Sequence, residues 1–530
     1  MLNVRIPALR NQAWVTIAIF AAAVWMAWKA GGIIVDGDLN SLAFATLGVA
    51  GCAIAVAIFR NWRSGFYLFL VWLMFEDLAR KYLGNGIALF FGKDILVGLT
   101  YISLFIAIRR GREKTFRLPF LLPLLLFIWL GAIQIFNPNS PSVLYGLLGF
   151  KLDFYYIPLL FVGYALIRSD EDLRKFLLVN VVLASVISAV GIAQAILGNT
   201  FLNPAHLAPD LQELGNLYKV TPITGQVFSL PTSVFVSSGR FGFYMMLAVI
   251  LVIGTAGYLL LNTKRNRLIV FASVGIVVAA TFFSGSRGAV LISIANALVL
   301  AAGFLWGAPW RWGQAHRMVK AIRRSFIIAA TGMAAVLLIF PKESASRLAF
   351  YTETLNPGST AYELHTRTWT YPLQNLRDAF LGGQHWIVGT GLGTASLGTQ
   401  YVSKLLRERP PGVWVEEGYG VLIVEMGILA PFLWILWSAS MLYYCWIILR
   451  RLRQTRLFPI AFAISWYAFL LLYPETFGGF SMYQNYVNNA FLWLLVGVLF
   501  RLPELAGSQA IATDPANSAT KRPETFHGRG

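Results

Sequence analysis

The sequence predicts an all-α, polytopic integral-membrane helix bundle carrying one large, partly helical external loop. Three observations predict it. Hydrophobic residues make up 57% of the 530 and charged residues only 13%, against an apolar share of ~45–50% in ordinary soluble domains. Mean hydropathy is positive, at +0.64. Runs approaching the roughly 20 apolar residues a helix needs to cross a bilayer recur about fourteen times, with a range of about 12 to 14 transmembrane helices.

In chain order the predicted span cores are 13–28, 40–59, 65–78, 88–108, 118–135, 153–167, 176–197, 241–261, 268–283, 289–306, 325–340, 428–449, 457–473 and 487–500. The third, ninth and fourteenth are short. Arg5 and Arg10 precede the first, and no small-residue cleavage site follows it, so it reads as a retained helix rather than a signal peptide. Cys52 and Cys445 fall inside predicted spans, where inert packing is expected.

A net charge of +19 raises nucleic acid as a partner, but the cations fall mostly in alternate short connections. They lie at Arg60 and Arg63, Arg109 to Arg117, Arg168 to Lys175, Lys264 to Arg267, Arg311 to Arg324 and Arg450 to Arg456. That is the positive-inside pattern, which makes these the cytoplasmic loops, puts both termini in the cytoplasm and excludes a nucleic-acid reading.

Four regions follow. Residues 1–340 hold transmembrane helices with short loops and an external loop near 198–237. Residues 341–417 form the large external loop. Residues 418–502 re-enter the membrane and supply the C-terminal helices, and 503–530 read as a disordered cytoplasmic tail rich in Ala, Ser, Thr, Pro and charge. Shorter external segments are expected near 29–39, 80–93, 136–151 and 474–486.

Loops longer than ~12–15 residues are usually functional or disordered, and 341–417 is too rich in Trp, Tyr, Leu and Gly for disorder. Its stretch 361–380 mixes apolar and polar residues at roughly helical spacing, predicting one or two amphipathic helices over the membrane face. Gly389-Thr-Gly-Leu-Gly393 supplies a turn; with no strand and helix pattern around it, this GxGxG is no dinucleotide fingerprint.

Arg287, in Ser284-Gly-Ser-Arg-Gly-Ala289, separates two apolar runs. A cation near mid-membrane costs about 2.5–3.5 kcal/mol on insertion scales. Such a guanidinium beside Gly and Ser is a candidate fork for phosphate or pyrophosphate, against snorkelling to the interface. Arg240, in Ser237-Ser-Gly-Arg-Phe-Gly-Phe243, is a second candidate at the mouth of another span, with Lys151 and Arg367 as weaker members of the same cationic set.

Glu416 and Glu417 stand where the large loop re-enters the membrane, placed for general acid or base work or for a solvated loop end. Glu425, nine residues beyond Glu416, is a candidate for the substrate loop or for a helix-packing hydrogen bond. Asp36 and Asp38 have the spacing of a carboxylate metal site, but two acids in a polar turn are more often solvated. Glu76, Asp77, Arg80 and Lys81, with Lys93 and Asp94, read as structural ion pairs. The five His are scattered, and no nucleophile elbow, Walker motif or haem motif is present.

Taken in order, Tyr145-Gly-Leu-Leu-Gly-Phe-Lys-Leu-Asp-Phe-Tyr-Tyr-Ile-Pro158 leading to Gln194, then Phe282-Phe-Ser-Gly-Ser-Arg-Gly-Ala289, then Gly389 to Gly393 followed by Glu416 to Gly427, resemble the O-antigen ligase and polysaccharide polymerase superfamily. These are multi-span bacterial GT-C-type glycosyltransferases. The resemblance implies a glycan donor and acceptor carried on undecaprenyl pyrophosphate, Arg residues holding the pyrophosphate at the periplasmic face, and a loop-end residue activating the acceptor hydroxyl. Arg287 matches the Arg of the Ser-Arg-Gly motif, and Arg240 lies in the region of the family's other Arg.

Ligases typically read His-Asn-x-Tyr-Leu before Glu-x-Gly. Counting back from Glu425 and Gly427 puts Glu416 at the His position, Glu417 at the Asn and Tyr419 at the Tyr. The expectation is therefore an inverting, inner-membrane polymerase of an exopolysaccharide or O-antigen pathway, with Glu416 as base, Glu417 in reserve, and Arg287 and Arg240 stabilising the leaving pyrophosphate. No cofactor or metal is expected, and export or chain-length-control proteins are candidate partners. The alternatives are a ligase delivering glycan to a lipid or protein, and, in another class, a polyprenyl-linked glycan flippase or transporter.

Overall fold

The computed structural model describes residues 39–513 except 85, 205, 209–210, 212–216, 263–266, most of 310–337, 382–384, 396, 398 and 409–414. The elements run α1 (Leu39–Arg60), α2 (Trp62–Leu83), α3 (Ile87–Arg109), α4 (Leu121–Gln134), α5 (Val143–Phe154), α6 (Leu159–Leu166), α7 (Asp170–Leu197), β1 (Tyr218–Val220), β2 (Val227–Ser229), α8 (Ser238–Asn262), α9 (Arg267–Phe283) and α10 (Arg287–Gly307). Then follow α11 (Pro341–Leu355), a π-helical turn (Thr366–Thr370) running into α12 (Tyr371–Leu381), α13 (Thr399–Leu406), α14 (Gly418–Met426), α15 (Leu429–Arg451), α16 (Phe458–Leu472), α17 (Pro474–Gly478), α18 (Ser481–Gln484) and α19 (Tyr486–Thr513). Among the described residues the only sheet is the antiparallel pair β1–β2.

The described chain is thus an almost purely helical bundle, and eight of its helices are long and apolar enough to cross a membrane. The predicted spans match unevenly. The run 13–28 lies outside the described residues, and most of 325–340 does too. Helices α4 and α9 are shorter, at 14 and 17 residues, and α2 carries Glu76, Asp77, Arg80 and Lys81. The segment read as an external connection up to 151 is instead helical from Val143, and with α6 it makes a 24-residue apolar segment, Val143–Leu166. Lys151 makes the run look broken in sequence ahead of the predicted core, and Asp153 within that core is buried, its Oδ1 accepting from Gln484 Nε2 at 3.2 Å. At the C-terminus α19 stays helical to Thr513, past the start expected for the tail, because Leu502 and Leu505 are still buried.

The chain divides into two units, 1–72 with 91–112 and 73–90 with 113–530. In the first, Ser103 Oγ on α3 donates to the Ile58 carbonyl of α1 at 3.0 Å, which satisfies a hydroxyl among apolar side chains.

The second unit holds everything considered below. Its most enclosed span is α8, packed against α7, α9, α10 and α16. Helices α6 and α19 cross backbone to backbone: a Cβ at Gly163 would stand 2.1 Å from the Leu494 carbonyl oxygen, and one at Gly497 would stand 2.0 Å from that of Leu160. Small residues at such crossings admit the close packing that drives helix association where no water is present to be expelled. The outward faces of α4, α10 and α15 instead expose Leu122, Trp129, Leu298, Leu305, Phe432 and Leu436, the surface a lipid-facing bundle presents rather than one facing water.

Contacts between helix ends give the unit two unlike ends. At one, Asn262 donates to the Arg456 carbonyl at 3.3 Å, the Gln454 N–H to the Gly307 carbonyl at 2.8 Å, and Arg501 Nε to the Ile167 carbonyl at 2.9 Å. These contacts gather connections rich in Arg and Lys. The other end collects the loops near 198–237 and 341–417 and the starts of α8, α10, α15 and α19.

Candidate anion site at the loop-rich end

Ser284 to Ser286 turn the chain from α9 into α10. Gly285 makes the turn at φ +67, and a Cβ there would stand 2.7 Å from Leu230 and 2.9 Å from Phe228, so glycine is required both by conformation and by space. Ser286 caps α10, its Oγ accepting from the Ala289 N–H at 3.3 Å. Arg287 is consequently the first residue of the helix, where unpaired N–H groups and the macrodipole already favour negative charge.

Helix α11 braces this turn from outside. The guanidinium of Arg347, fully buried, donates to the carbonyls of Phe283 (3.2 Å), Ser229 (2.8 Å) and Glu343 (2.7 Å). Burial pulls its pKa down to about 10, which leaves it cationic at neutral pH. Tyr351 donates its hydroxyl to the Phe282 carbonyl at 2.7 Å. Together they satisfy carbonyls that the end of α9 leaves open. Glu353, on the same helix, accepts from the N–H groups of Ile223 (2.7 Å) and Thr224 (3.2 Å) and from the Thr224 hydroxyl (2.7 Å), which fastens the tip of the β1–β2 hairpin.

The hairpin so held brings Lys219 beside Arg287. Phe350 of α11 is the floor: Lys219 Nζ lies 4.3 Å and Arg287 Cζ 5.1 Å from its ring centroid, within cation–π reach. Glu363 completes the group. Its Oε2 is 2.9 Å from Arg287 Nη1 and 3.7 Å from Arg367 Nε. The first contact is an ion pair off hydrogen-bonding angle, since Arg287 Nη1 is buried and makes no hydrogen bond. Lys219 is pushed down to about 8 by burial and by Arg287 and Arg367, with Glu363 opposing. Arg287, Arg367 and Lys219 thus face one carboxylate, an excess of two positive charges around Glu363. An anion with several oxygens is the ligand such a cluster takes.

The other two predicted cations belong to a different grouping. Arg240, near the start of α8, gives Nη1 to both oxygens of Asp77 at 3.0 and 2.8 Å, and Arg80 shares that carboxylate at 2.9 Å. Arg240 also lies 5.2 Å from the Tyr486 ring centroid. Arg80 and Lys151 both lie over Phe90, at 5.5 and 4.3 Å. Lys81 donates to Thr232 Oγ1 at 2.7 Å and to the Ser233 carbonyl at 2.8 Å. The guanidinium of Arg240 is therefore held by a buried acid, whereas Arg287 and Arg367 share a half-exposed one.

The two adjacent carboxylates part company. Glu417, buried, is the N-cap of α14 and accepts from the N–H groups of Tyr419 at 2.9 Å and Gly420 at 2.6 Å. Burial pushes its carboxyl up to about 7 against those two hydrogen bonds. The folded state therefore keeps this proton over a range where an unfolded Glu, ordinarily 4.5, has lost it. Its contribution to stability is present below the unfolded value and falls as pH rises towards 7. Glu417→Gln is expected to flatten that fall, read as the thermal midpoint between pH 5.5 and 8; an unchanged slope would contradict the assignment.

Glu416 points outward and is exposed, while its backbone is pinned, the N–H donating to Asn375 Oδ1 and the carbonyl accepting from the Phe480 N–H, both at 2.9 Å. Asn375 lies on the helical segment that begins with the Arg367 turn, roughly 12 Å further along it at 1.5 Å per residue. Trp369, from that turn, packs edge-on against Phe477 at 6.0 Å. Glu416 is thus tied through both α12 and the 474–480 segment to the element that carries Arg367.

Glu425 is buried and accepts from the Ala395 N–H at 2.9 Å. It anchors the glycine turn, whose Gly391 N–H also donates to the Glu425 carbonyl at 3.0 Å. Gly393, at φ +80, approaches so closely that a Cβ would stand 2.0 Å from the Tyr145 carbonyl oxygen. The GxGxG segment is a packing turn wedged against α5 and α14. Tyr419 contributes its backbone N–H to Glu417 and is half-buried. Asp36 and Asp38 lie outside the described residues.

Sequence reasoning misses Lys219, Phe350 and Glu363. A signal exists for Lys219: Tyr218-Lys-Val and Val227-Phe-Ser flank a Thr224-Gly225 turn, and hairpin alternation puts Lys219 opposite Phe228 on one face. No protein-family model matches this sequence, and a search of curated proteins finds no significant relative.

Proposed function

We propose that this protein is an inner-membrane glycosyltransferase of the O-antigen ligase and polysaccharide polymerase type. It joins undecaprenyl-pyrophosphate-linked oligosaccharide repeats into a surface polysaccharide or exopolysaccharide at the periplasmic face. About fourteen spans and cytoplasmic termini belong to this reading, with the basic end of the bundle inside. The observation that carries it is the meeting of Arg287, Arg367 and Lys219 around a single carboxylate at the start of α10.

The chemistry needs few parts. The acceptor hydroxyl attacks the anomeric carbon of the donor glycan, Glu416 takes the hydroxyl proton, and the bond from that carbon to the pyrophosphate oxygen breaks with inversion. Negative charge then grows on the leaving pyrophosphate, where pre-positioned cations stabilise it. Glu416 suits the role of base because it is the exposed member of the pair, and Glu417 serves it by capping the helix that follows. Arg240 and Lys151 support the same end of the bundle.

Deletion of the protein in cells that make the polymer is expected to leave single lipid-linked repeats and no long chains. Long lipid-linked polymer that never reaches its acceptor would identify a ligase instead.

A further inference from the structure

Glu363 is an odd neighbour for a site built to attract anions. Its carboxylate lies between Arg287 and Arg367, where an anionic ligand would gain most, and its side chain is 40% exposed. Its backbone does not depend on that position: the Glu363 N–H donates to the Thr354 carbonyl at 3.2 Å, and its own carbonyl accepts from the Arg367 N–H at 2.9 Å. The side chain is therefore able to swing outward while the turn beneath it stays fixed. Arg287 Nη1, buried and without a hydrogen bond although Glu363 is near, is a donor that a better-aligned oxygen would satisfy.

We infer that the Glu363 carboxylate occupies the place of an oxygen of the anionic ligand and is displaced when a phosphate or pyrophosphate group binds to Arg287, Arg367 and Lys219. The inference rests on reading this cluster as the pyrophosphate site. Glu363 is then a tethered competitor that balances the cations of the empty site and sets its affinity. Without such competition the cluster would hold the product pyrophosphate longer after each transfer.

A competitor that leaves weakens every anion by one common factor, because the same displacement precedes each binding event. A carboxylate that stays in place would instead repel the more highly charged anion more. The test is titration of the purified full-length protein with inorganic phosphate and, separately, inorganic pyrophosphate, each by calorimetry. Glu363→Gln is expected to tighten both by a similar factor, about 1.5- to fivefold, on the scale of a partly exposed ion pair. Glu363→Asp, which keeps the charge on a shorter arm, falls between the two.

A gain clearly larger for pyrophosphate than for phosphate, an unchanged affinity, or weaker binding by a variant that keeps its unliganded thermal midpoint would each overturn displacement. A variant with a lowered midpoint would leave Glu363→Asp to decide on the same criteria. Arg287→Ala tests the underlying reading separately. If it binds both anions as well as the wild type does, the cluster is not the anion site and the inference falls with it; loss of binding there with no gain in Glu363→Gln overturns displacement alone.

Discussion

Replacing Arg287 by Ala is expected to lower the rate of glycan polymerisation roughly 10²–10³-fold, the loss usual when one donor to a developing oxyanion is removed. The site argues for an effect of that size on turnover rather than on folding. The α9–α10 turn is held by Gly285, by the Ser286 cap and by Arg347 and Tyr351 of α11, none of which needs the Arg287 side chain. Arg287→Lys is expected to recover part of the rate, since the charge remains but the planar fork is lost. Measured in membranes with matched protein levels, an Ala variant that polymerises at the native rate would remove Arg287 from the reaction.

The second large effect is at the base. Glu416→Gln is expected to cut turnover roughly 10²–10⁴-fold, the contribution typical of a positioned general base. The backbone contacts of Glu416 to Asn375 and Phe480 are unaffected by this change, so the variant should accumulate and fold normally. Glu417→Gln is the contrast, because its side chain caps α14 and its loss is expected to appear mainly in stability. Equal turnover defects in the two variants, with no difference in thermal midpoint, would argue that the pair acts as one unit.

How much of this is legible in sequence depends on whether a residue's role is local. Arg287 is legible, because a cation between apolar runs beside Ser and Gly carries an insertion cost that calls for a reason. The membrane bundle is legible for the same kind of reason, since apolar length is a local property. Glu416 and Glu417 are found as a pair, but their division into an exposed acid and a buried cap depends on where α14 begins.

Lys219 and Glu363 are a different case. Each is an ordinary charged residue in a segment that reads as a loop in sequence, and only the fastening of the hairpin by Glu353 and the bracing of the turn by Arg347 bring them to Arg287. Arg240 shows the converse. Its sequence neighbourhood looks like that of Arg287, yet Asp77, 163 residues away, engages it. The span 143–166 is found in sequence only from 153, because Lys151 interrupts the apolar pattern ahead of it, and its charge lies over Phe90 only in the folded bundle.

The central claim, that this bundle forms glycosidic bonds rather than moving lipid-linked glycans, is tested most directly with purified protein in lipid vesicles. The vesicles would carry a labelled undecaprenyl-pyrophosphate-linked repeat, with product length and released undecaprenyl pyrophosphate followed over time. The account predicts a ladder of longer lipid-linked products, one undecaprenyl pyrophosphate released for each new linkage, and both signals lost together in Arg287→Ala. Transfer of the label between leaflets with no new linkage and no release would contradict it and make the protein a transporter.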